Sequence, residues 1–315
     1  MKKVLVGILL IVIVATVCLG LSVWSAMRGV SPAELEAKYM TPADRFVVAA
    51  GARVRVREEG PEGAPVILLM HGFLYSLESW DAWAADLSRD YRVIRFDMLG
   101  HGLTGPDPQQ RYSPEERAAF LGDLMDALSV DHAIIGGNSL GGLAAWRFAA
   151  AHPERADALI LVSPGAYSIN GVTETPVPPP EPLKVFLRTA PEAGVAATLA
   201  RVVADPSVIT PERAALVRDM MRRKGNGEAF IQSIEEFTLP DPAALLATVT
   251  APALLLWGRE DKVIPVEQGE AMENSMPNAR LIIYDGVGHT AQEESPAATL
   301  DDVREFLNAL KETQL

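Results

Sequence analysis

One serine stands among four glycines in the stretch GGNSLGGLAAW, residues 136–146. Within it, Gly137-Asn138-Ser139-Leu140-Gly141 fits the G-x-S-x-G pattern, in which a strained strand-to-helix turn exposes a serine hydroxyl above a sheet edge. Glycine-rich turns of this kind also bind phosphate, but no lysine follows in the Walker position and no G-x-G-x-x-G is present. The pattern therefore predicts that Ser139 is a nucleophile.

A serine nucleophile needs a neighbouring base, because its hydroxyl is almost wholly protonated at neutral pH. Among the five histidines, His132 opens a predicted strand and His152 ends a predicted helix, which indicates structural roles. His71 and His101 lie in glycine-flanked loops after earlier strands. His289 lies just past the last predicted strand and follows the serine in the order Ser, acid, His. We therefore predict that His289 is the base.

The acid that orients the base should follow the strand before it. The segment LLLWGREDKVIP offers Glu260 and Asp261 at such a position, and we predict Asp261. Asp285 and Glu293 lie closer to His289 along the chain, but a triad requires proximity in space rather than in sequence.

A tetrahedral intermediate needs two backbone N–H groups directed at its negative oxygen. The residue after the nucleophile, Leu140, supplies one of them. The loop that follows the strand LLM begins His71-Gly72-Phe73, and the N–H of Phe73 is the predicted second donor. The Phe73 side chain can serve as an ordinary core aromatic at the same time, because only its backbone is required.

These residues need a sheet to hold them. Short apolar runs typical of buried parallel strands alternate with helical stretches, and RFVVAA and ARVRVREEG flank Gly51 as an antiparallel hairpin. This alternation predicts a mostly parallel central sheet flanked by helices, with its site beyond the carboxyl ends of the strands. The predicted parallel strands are Pro65 to Met70, Arg92 to Phe96, His132 to Gly137, Ala158 to Val162, Ala253 to Trp257 and Arg280 to Tyr284.

The alternation is interrupted once, over about residues 165–248. This stretch opens with GVTETPVPPPEP and continues with three helix-like segments, EAGVAATLARVVA, PERAALVRDMMRRK and EAFIQSIEEF. We predict an inserted helical cap here, with the core formed by residues 31–164 and 249–315. Its apolar stripes, at Leu199, Val202, Val203, Leu216 and Met220, have the spacing of core positions and could alternatively face lipid.

The composition excludes some classes of protein. A net charge of −13 argues against nucleic acid as a partner, because such binding needs a basic surface. The single cysteine, Cys18, lies in the apolar N-terminal run, so the folded part can form no internal disulfide. No dense cluster of metal-ligand residues is apparent, and neither a metal nor an organic cofactor is implied.

Residues 1–30 form a predicted membrane anchor. Two lysines precede an uncharged run from Val4 to Trp24, which at 1.5 Å per residue spans about one bilayer core of roughly 30 Å. A cleaved signal peptide is the alternative, although its apolar region would be shorter. The basic residues favour a cytoplasmic N-terminus, so we expect a single-pass anchor with an extracytoplasmic catalytic domain, periplasmic if the source is bacterial.

As a set, these motifs resemble the α/β-hydrolase family, in particular its cap-bearing esterase and lipase branch. HGF, FDMLGHGLTG, GGNSLGG, WGREDKVIP and GVGH occur in family order from about Ala50 to Leu310. The resemblance implies Ser139, Asp261 and His289 as a triad and Phe73 and Leu140 as oxyanion donors. The anchor, HGF loop and cap together look like membrane-anchored monoacylglycerol lipases and bacterial family V lipases.

The expected activity is hydrolysis of carboxylic esters through an acyl-enzyme, with a small-molecule or lipid ester as substrate. One alternative is a carbon-carbon bond hydrolase of ring-cleavage products, a group that shares the GNS elbow but typically continues the first HG with glycine-proline-glycine, whereas this chain has HGFLYSLESW. Another alternative is a tethered binding module that has kept the pocket without turnover.

Overall fold

The computed structural model describes residues 28–313. Strands and helices alternate through most of this range. The strands are β1 (Asp44–Ala49), β2 (Ala52–Glu59), β3 (Val66–Met70), β4 (Arg92–Phe96), β5 (Ala133–Asn138), β6 (Ala156–Val162), β7 (Ala253–Gly258) and β8 (Ala279–Tyr284). The α-helices are α1 (Pro32–Tyr39), α2 (Asp81–Leu87), α3 (Pro114–Ala127), α4 (Leu140–Ala151), α5 (Glu181–Thr189), α6 (Glu192–Val202), α7 (Pro211–Arg222), α8 (Asn226–Glu235), α9 (Ala243–Leu246), α10 (Val266–Ser275), α11 (Ala291–Glu294) and α12 (Pro296–Thr313).

The eight strands of the described chain form one sheet in the order β1-β2-β4-β3-β5-β6-β7-β8. β1 and β2 make the antiparallel hairpin predicted around Gly51, and β2 also pairs antiparallel with β4. All remaining neighbours pair in parallel, which confirms the predicted mostly parallel sheet. Parallel pairing brings the carboxyl ends of β3, β5, β7 and β8 to the same edge, where the predicted site residues begin.

Helices cover both faces of this sheet. On one face Leu124 of α3, Trp146 of α4 and Met272 of α10 belong to a single buried apolar cluster. On the other face Trp83 of α2 and Leu307 of α12 pack with the opposite side chains of the strands. With both faces covered, the strand ends are the place left for an accessible site.

The stretch between β6 and β7, which the structure describes in full, contains helices and no strand. These helices, α5 to α9, and the segments that connect them are hereafter the cap. The three helix-like segments of the sequence correspond to α6, α7 and α8, whereas α5 and α9 were missed. Pro182 falls in the first turn of α5, where proline is tolerated, and the sequence around it favours an irregular segment instead. Of the predicted apolar stripes, Leu199, Val203 and Met220 are buried, as core positions are, whereas Val202 and Leu216 are half-buried.

The predicted anchor at residues 1–30 lies almost entirely outside the described residues. Between residues 28 and 313, no helix has the length and apolar character needed to cross a bilayer.

Candidate active site

Ser139 occupies the turn between β5 and α4 with φ 54° and ψ −113°, a backbone conformation that non-glycine residues rarely adopt. Its own N–H donates to Val162 O at 3.0 Å, which ties the turn to β6. A Cβ added to Gly137 would lie 2.4 Å from the carbonyl carbon of Gly141, so only glycine fits there. The strained turn predicted from the sequence is therefore present, with Ser139 at its apex.

His289 and Asp261 meet at the ends of two strands. His289 Nδ1 donates to Asp261 Oδ2 at 2.8 Å, and both residues are buried. Asp261 Oδ1 accepts hydrogen bonds from the N–H groups of Val263 at 2.7 Å and Ile264 at 2.9 Å. Because a carboxylate only accepts, Nδ1 carries the imidazole proton and Nε2 is left as the basic nitrogen.

The other acids near this loop have different partners. Glu260 Oε2 accepts from the N–H of Val287 at 3.1 Å. Asp285 pairs with Arg259 on the surface. Glu293 pairs with Arg213 at 2.6 Å. Among the described acids that the sequence offered, Asp261 is thus the one that contacts His289.

His71 and His101 are buried behind the site. His71 Nε2 accepts from the N–H of Met98 at 3.0 Å, and burial lowers the His71 pKa to about 4. Burial also lowers the pKa of His101 well below its usual range, with the charge of Arg117 adding to the effect. Both imidazoles are therefore neutral packing groups, and the surface residue His132 pairs with Asp157 at 2.7 Å.

The two predicted oxyanion donors are available. In residues 28–313 the N–H groups of Phe73 and Leu140 donate to no protein acceptor. The loop after β3 lies directly against the turn that carries Ser139. A Cβ added to Gly72 would be 2.8 Å from Asn138 Oδ1 and 3.3 Å from Ser139 Cβ. Two unpaired N–H donors beside the serine can stabilise, by hydrogen bonds, the negative charge that develops on the substrate oxygen.

Asn138 also contributes to the site, although no sequence pattern singled it out. Its Nδ2 donates to Val162 O at 3.0 Å and to His289 O at 3.1 Å. The residue before the nucleophile therefore holds the backbone of the predicted base.

Glu294 was also missed, and its carboxylate accepts hydrogen bonds on both sides of His289. Oε2 accepts from the N–H of Gly288 at 2.9 Å, and Oε1 accepts from the N–H of Thr290 at 3.1 Å. Oε2 also accepts from the N–H of Ala204, in the cap, at 2.7 Å. An acid in the run QEE is usually read as a solvated surface charge, so the sequence held no signal for this contact.

The cap is attached to the same loop. The N–H of His289 donates to Val202 O, at the end of α6, at 2.8 Å. Arg213 of α7 donates to both oxygens of Glu293 at 2.9 and 2.6 Å. Burial raises the pKa of Glu293, and Arg213 opposes this effect. We call residues 285–290, between β8 and α11, the His289 loop. A main-chain hydrogen bond to this loop, together with the Arg213–Glu293 ion pair in α11, consequently joins it to the cap.

Two cavities meet at Ser139. The first cavity, of about 210 Å³, is mostly apolar, and His289 is on its wall. The second cavity, of about 420 Å³, runs toward the proline-rich entry of the cap. Ser139, Phe73 and Val263 border both cavities. The first is also lined by Val195, Thr198, Leu199, Arg201, Val202, Val217 and Met221, and the second by Arg117, Leu140, Ile169, Val172, Leu183, Ile234 and Phe237.

Arg117 is the buried cation of the second cavity. Its guanidinium donates to Tyr112 O at 3.0 Å, to Leu99 O at 2.9 Å and to Ser233 Oγ at 2.7 Å. Burial lowers the Arg117 pKa to about 10, so the group is still charged at neutral pH. These bonds join α3 of the core to α8 of the cap.

Within the described range, no three His, Cys, Asp or Glu residues are grouped so that they could hold a metal ion. The arrangement at the strand ends can instead support nucleophilic chemistry by a serine, a histidine and an aspartate.

Comparisons with known proteins agree with this architecture. A family model described as alpha/beta hydrolase fold matches residues 65–296. The chain is 32% identical over 241 residues to a 2-hydroxy-6-oxononadienedioate/2-hydroxy-6-oxononatrienedioate hydrolase of Dechloromonas aromatica (strain RCB), an alignment that covers 74% of this chain and 83% of the relative.

Two solved structures are also similar. A membrane phospholipase A, described as a bacterial virulence factor, superposes with a TM-score of 0.74 at 26% identity, over 99% of both chains. A thermophilic esterase from Thermogutta terrifontis superposes with a TM-score of 0.70, over 85% of this chain and 98% of the esterase. Its identity of 23% supports a shared fold only.

Proposed function

This chain belongs to the α/β-hydrolase fold family and is a hydrolase of that fold, and from this premise we propose that it cleaves carboxylic esters of acyl chains, including monoacylglycerol-like lipids. The observation that carries the proposal is the position of Ser139 between two mostly apolar cavities. A serine nucleophile between two such walls is suited to an ester with an apolar chain.

The proposed reaction has two steps. Ser139 Oγ attacks the ester carbonyl while His289 Nε2 takes its proton and Asp261 holds the imidazolium. The negative oxygen lies against the N–H groups of Phe73 and Leu140. When the ester C–O bond breaks, His289 returns the proton to the leaving alcohol. A water molecule then attacks the acyl-enzyme by the same route, releasing the acid and restoring Ser139.

The position of His289 indicates which cavity holds the leaving group of the ester and which holds the acyl chain. The leaving oxygen must lie near the imidazole that protonates it, and His289 is on the wall of the first cavity. We therefore assign the leaving group to the first cavity and the acyl chain to the second. A methylene takes up roughly the 30 Å³ of a water molecule, so the second cavity, about 420 Å³, can hold a chain on the order of ten carbons.

The lining favours a lipid ester over the dioate for which the Dechloromonas relative is named. A dioate carries two carboxylates, each of which needs cationic or hydrogen-bond donors. Two guanidinium groups border the cavities, Arg201 on the exposed side and Arg117, which already donates to three oxygens. An acyl chain needs no such partner. The similarity to a membrane phospholipase A over 99% of both chains further supports a lipid substrate.

We further propose that residues 1–30 anchor the protein in a membrane, with the catalytic domain outside the cytoplasm. The uncharged run from Val4 to Trp24 and the full-length similarity to a membrane phospholipase A support the anchor, and Lys2 and Lys3 before the run support the orientation. An anchored hydrolase would act on esters presented at the bilayer surface.

A substrate series tests the proposed function. We expect kcat/KM on p-nitrophenyl esters to rise at least tenfold from acetate to a chain of about eight carbons, because each buried methylene contributes about 0.8 kcal/mol. A 2-hydroxy-6-oxo dienedioate should be cleaved at least about 100-fold less efficiently than the best ester. Faster cleavage of the dienedioate would establish the carbon-carbon alternative, and binding without turnover of either class would establish the binding module.

A further inference from the structure

The first described residues of the chain are hydrogen-bonded to the cap. The N–H of Val30 donates to Arg222 O at 2.7 Å, and the N–H of Lys224 donates to Val30 O at 2.9 Å. Val30 and Arg223 thereby form a short parallel bridge. The chain is thus attached to the end of α7 at Val30, the last residue of the predicted anchor (residues 1–30), before it reaches the core.

Helix α1 strengthens the same attachment. Leu35 of α1, Met220 of α7 and Leu103 form one buried apolar cluster. On the outside, Lys38 and Tyr39 each donate to Asp219 at 2.7 Å. We call this surface, formed by residues 28–39 and 216–226, the α1–α7 junction. Its contacts are both apolar and polar, so residues 30–39 and α7 form one unit.

The length of the connection limits how far this junction can lie from the predicted membrane span. The uncharged run ends at Trp24, and Val30 is six residues later. A fully extended chain covers at most about 3.6 Å per residue, so Val30 of the junction lies within about 22 Å of the end of the run. No other described part of the protein is constrained to this distance by the chain itself.

The charge at the junction is opposite to that of the protein as a whole. Residues 28–39 and 216–226 together contain six basic and three acidic side chains, a net charge of +3, although the net charge of the whole chain is −13. One of the basic side chains, Arg223, is buried. Lys224 is exposed at the tip of this segment. Basic residues next to a membrane span are attracted to anionic lipid headgroups.

The helix that binds the N-terminal segment is also a wall of the candidate site. Val217 and Met221 of α7 line the first cavity, and Arg222, the next residue, accepts the hydrogen bond from Val30. On the basis of the membrane anchor in the proposed function, we propose that the α1–α7 junction faces the bilayer and contacts anionic lipid headgroups. The cap side of the molecule, and with it the first cavity, then lies closest to membrane-dissolved substrates.

Depth-dependent fluorescence quenching tests this orientation in the full-length protein. In a Cys18→Ala background, a fluorophore is attached at Lys224→Cys or at Arg89→Cys. Arg89 has a 74% exposed side chain and precedes β4, so it lies at the amino end of that strand, away from the carboxyl ends where the candidate site is. It serves as the matched control. The protein is reconstituted in vesicles of phosphatidylcholine and phosphatidylglycerol that contain headgroup-labelled nitroxide lipid.

We expect the label at position 224 to be quenched at least threefold more than the label at position 89. Replacing phosphatidylglycerol by phosphatidylcholine should reduce this difference. Equal quenching at the two positions, or stronger quenching at position 89, would overturn the proposed orientation, and so would failure of the protein to remain with the vesicles. Hydrolysis of a soluble ester in the same samples reports separately on the proposed function, because that assay needs no membrane contact.

Discussion

The strand ends and the cap hold their residues in different ways. At the strand ends, hydrogen bonds of defined direction hold the backbone of Ser139 and the side chains of His289 and Asp261, as in the 2.8 Å bond between His289 and Asp261. In the cap, a cluster of apolar side chains, including Leu187, Leu199, Val217 and Phe230, packs without directional bonds. A reaction type needs precise geometry, whereas an acyl site needs volume and apolar area. In the proposed function, the strand ends therefore supply the chemistry and the cap selects the substrate.

The two regions meet at the His289 loop. Val202 of the cap accepts from the N–H of His289, and Glu294 binds Ala204 of the cap together with the two residues that flank His289. The position of His289, the proposed base, thus depends on contacts with the cap although the residue belongs to the core. Variants in the His289 loop and in its contacts with the cap can separate the effect of the core on activity from the effect of the cap.

The largest effect is expected from His289→Ala. Loss of the base leaves Ser139 protonated, so kcat for ester hydrolysis should fall about 10⁴-fold or more while the thermal unfolding temperature changes little. Steady-state kinetics with a short soluble ester measures the loss. Burial keeps the His71 pKa at about 4, and neither His71 nor His101 contacts Asp261 in the described chain, so neither can replace it. Activity within about tenfold of wild type would indicate that His71 or His101, and not His289, acts as the base.

A smaller effect is expected from Glu294→Gln. The substitution puts an amide N–H₂ against backbone N–H donors, which loses hydrogen bonds worth about 1–3 kcal/mol and loosens the loop that carries His289. We predict that kcat falls roughly tenfold while KM for a short ester changes less than twofold. Stopped-flow kinetics would separate slower acylation from weaker binding.

Glu293→Gln is the matched control for this variant. It removes an acid from the same turn and weakens the pairing with Arg213 of the cap, but it leaves the contacts on both sides of His289. Its main effect should be a lower unfolding temperature. If Glu293→Gln reduced kcat as much as Glu294→Gln, the loss of activity would result from weaker attachment of the cap and not from a displaced His289.

The smallest effects, changes of selectivity, are expected from the two cavities. Val217→Phe narrows the first cavity and Val172→Phe narrows the second, and each wild-type side chain is nearly buried. We predict that Val217→Phe reduces kcat/KM several-fold for esters with bulky alcohols, whereas Val172→Phe does so for long acyl chains. A matrix of esters with varied acid and alcohol parts gives both values. The opposite pattern would exchange the assignments of the two cavities.

The strand ends were largely predictable from the sequence, because short-range rules govern them. Glycines bracket Ser139 where a Cβ would collide, and continuous apolar runs mark the buried strands. The order Ser, acid, His then limits the remaining choices. The predicted strand at His132 to Gly137 was shifted by one residue, since β5 continues to Asn138 before the turn begins.

The junctions of the cap could not be predicted, because they depend on contacts between distant residues. Glu294 and Ala204 are separated by 90 residues, and the bridge between Val30 and Arg223 spans an even longer stretch of chain. Neither pair has a local pattern that would distinguish it from solvated residues. Helix α5 was missed for a different reason, because it directly follows the proline-rich run PVPPP, which favours an irregular segment.

The central claim is that Ser139 forms the acyl-enzyme, and active-site labelling tests it most directly. Wild-type protein is treated with a long-chain alkyl fluorophosphonate, followed by intact-mass measurement, peptide mapping and an ester assay on the same sample. We predict one adduct per chain, located on Ser139, with activity lost in proportion to labelling and no adduct in Ser139→Ala. Full ester turnover after complete labelling, or an adduct on a different residue, would contradict the assignment.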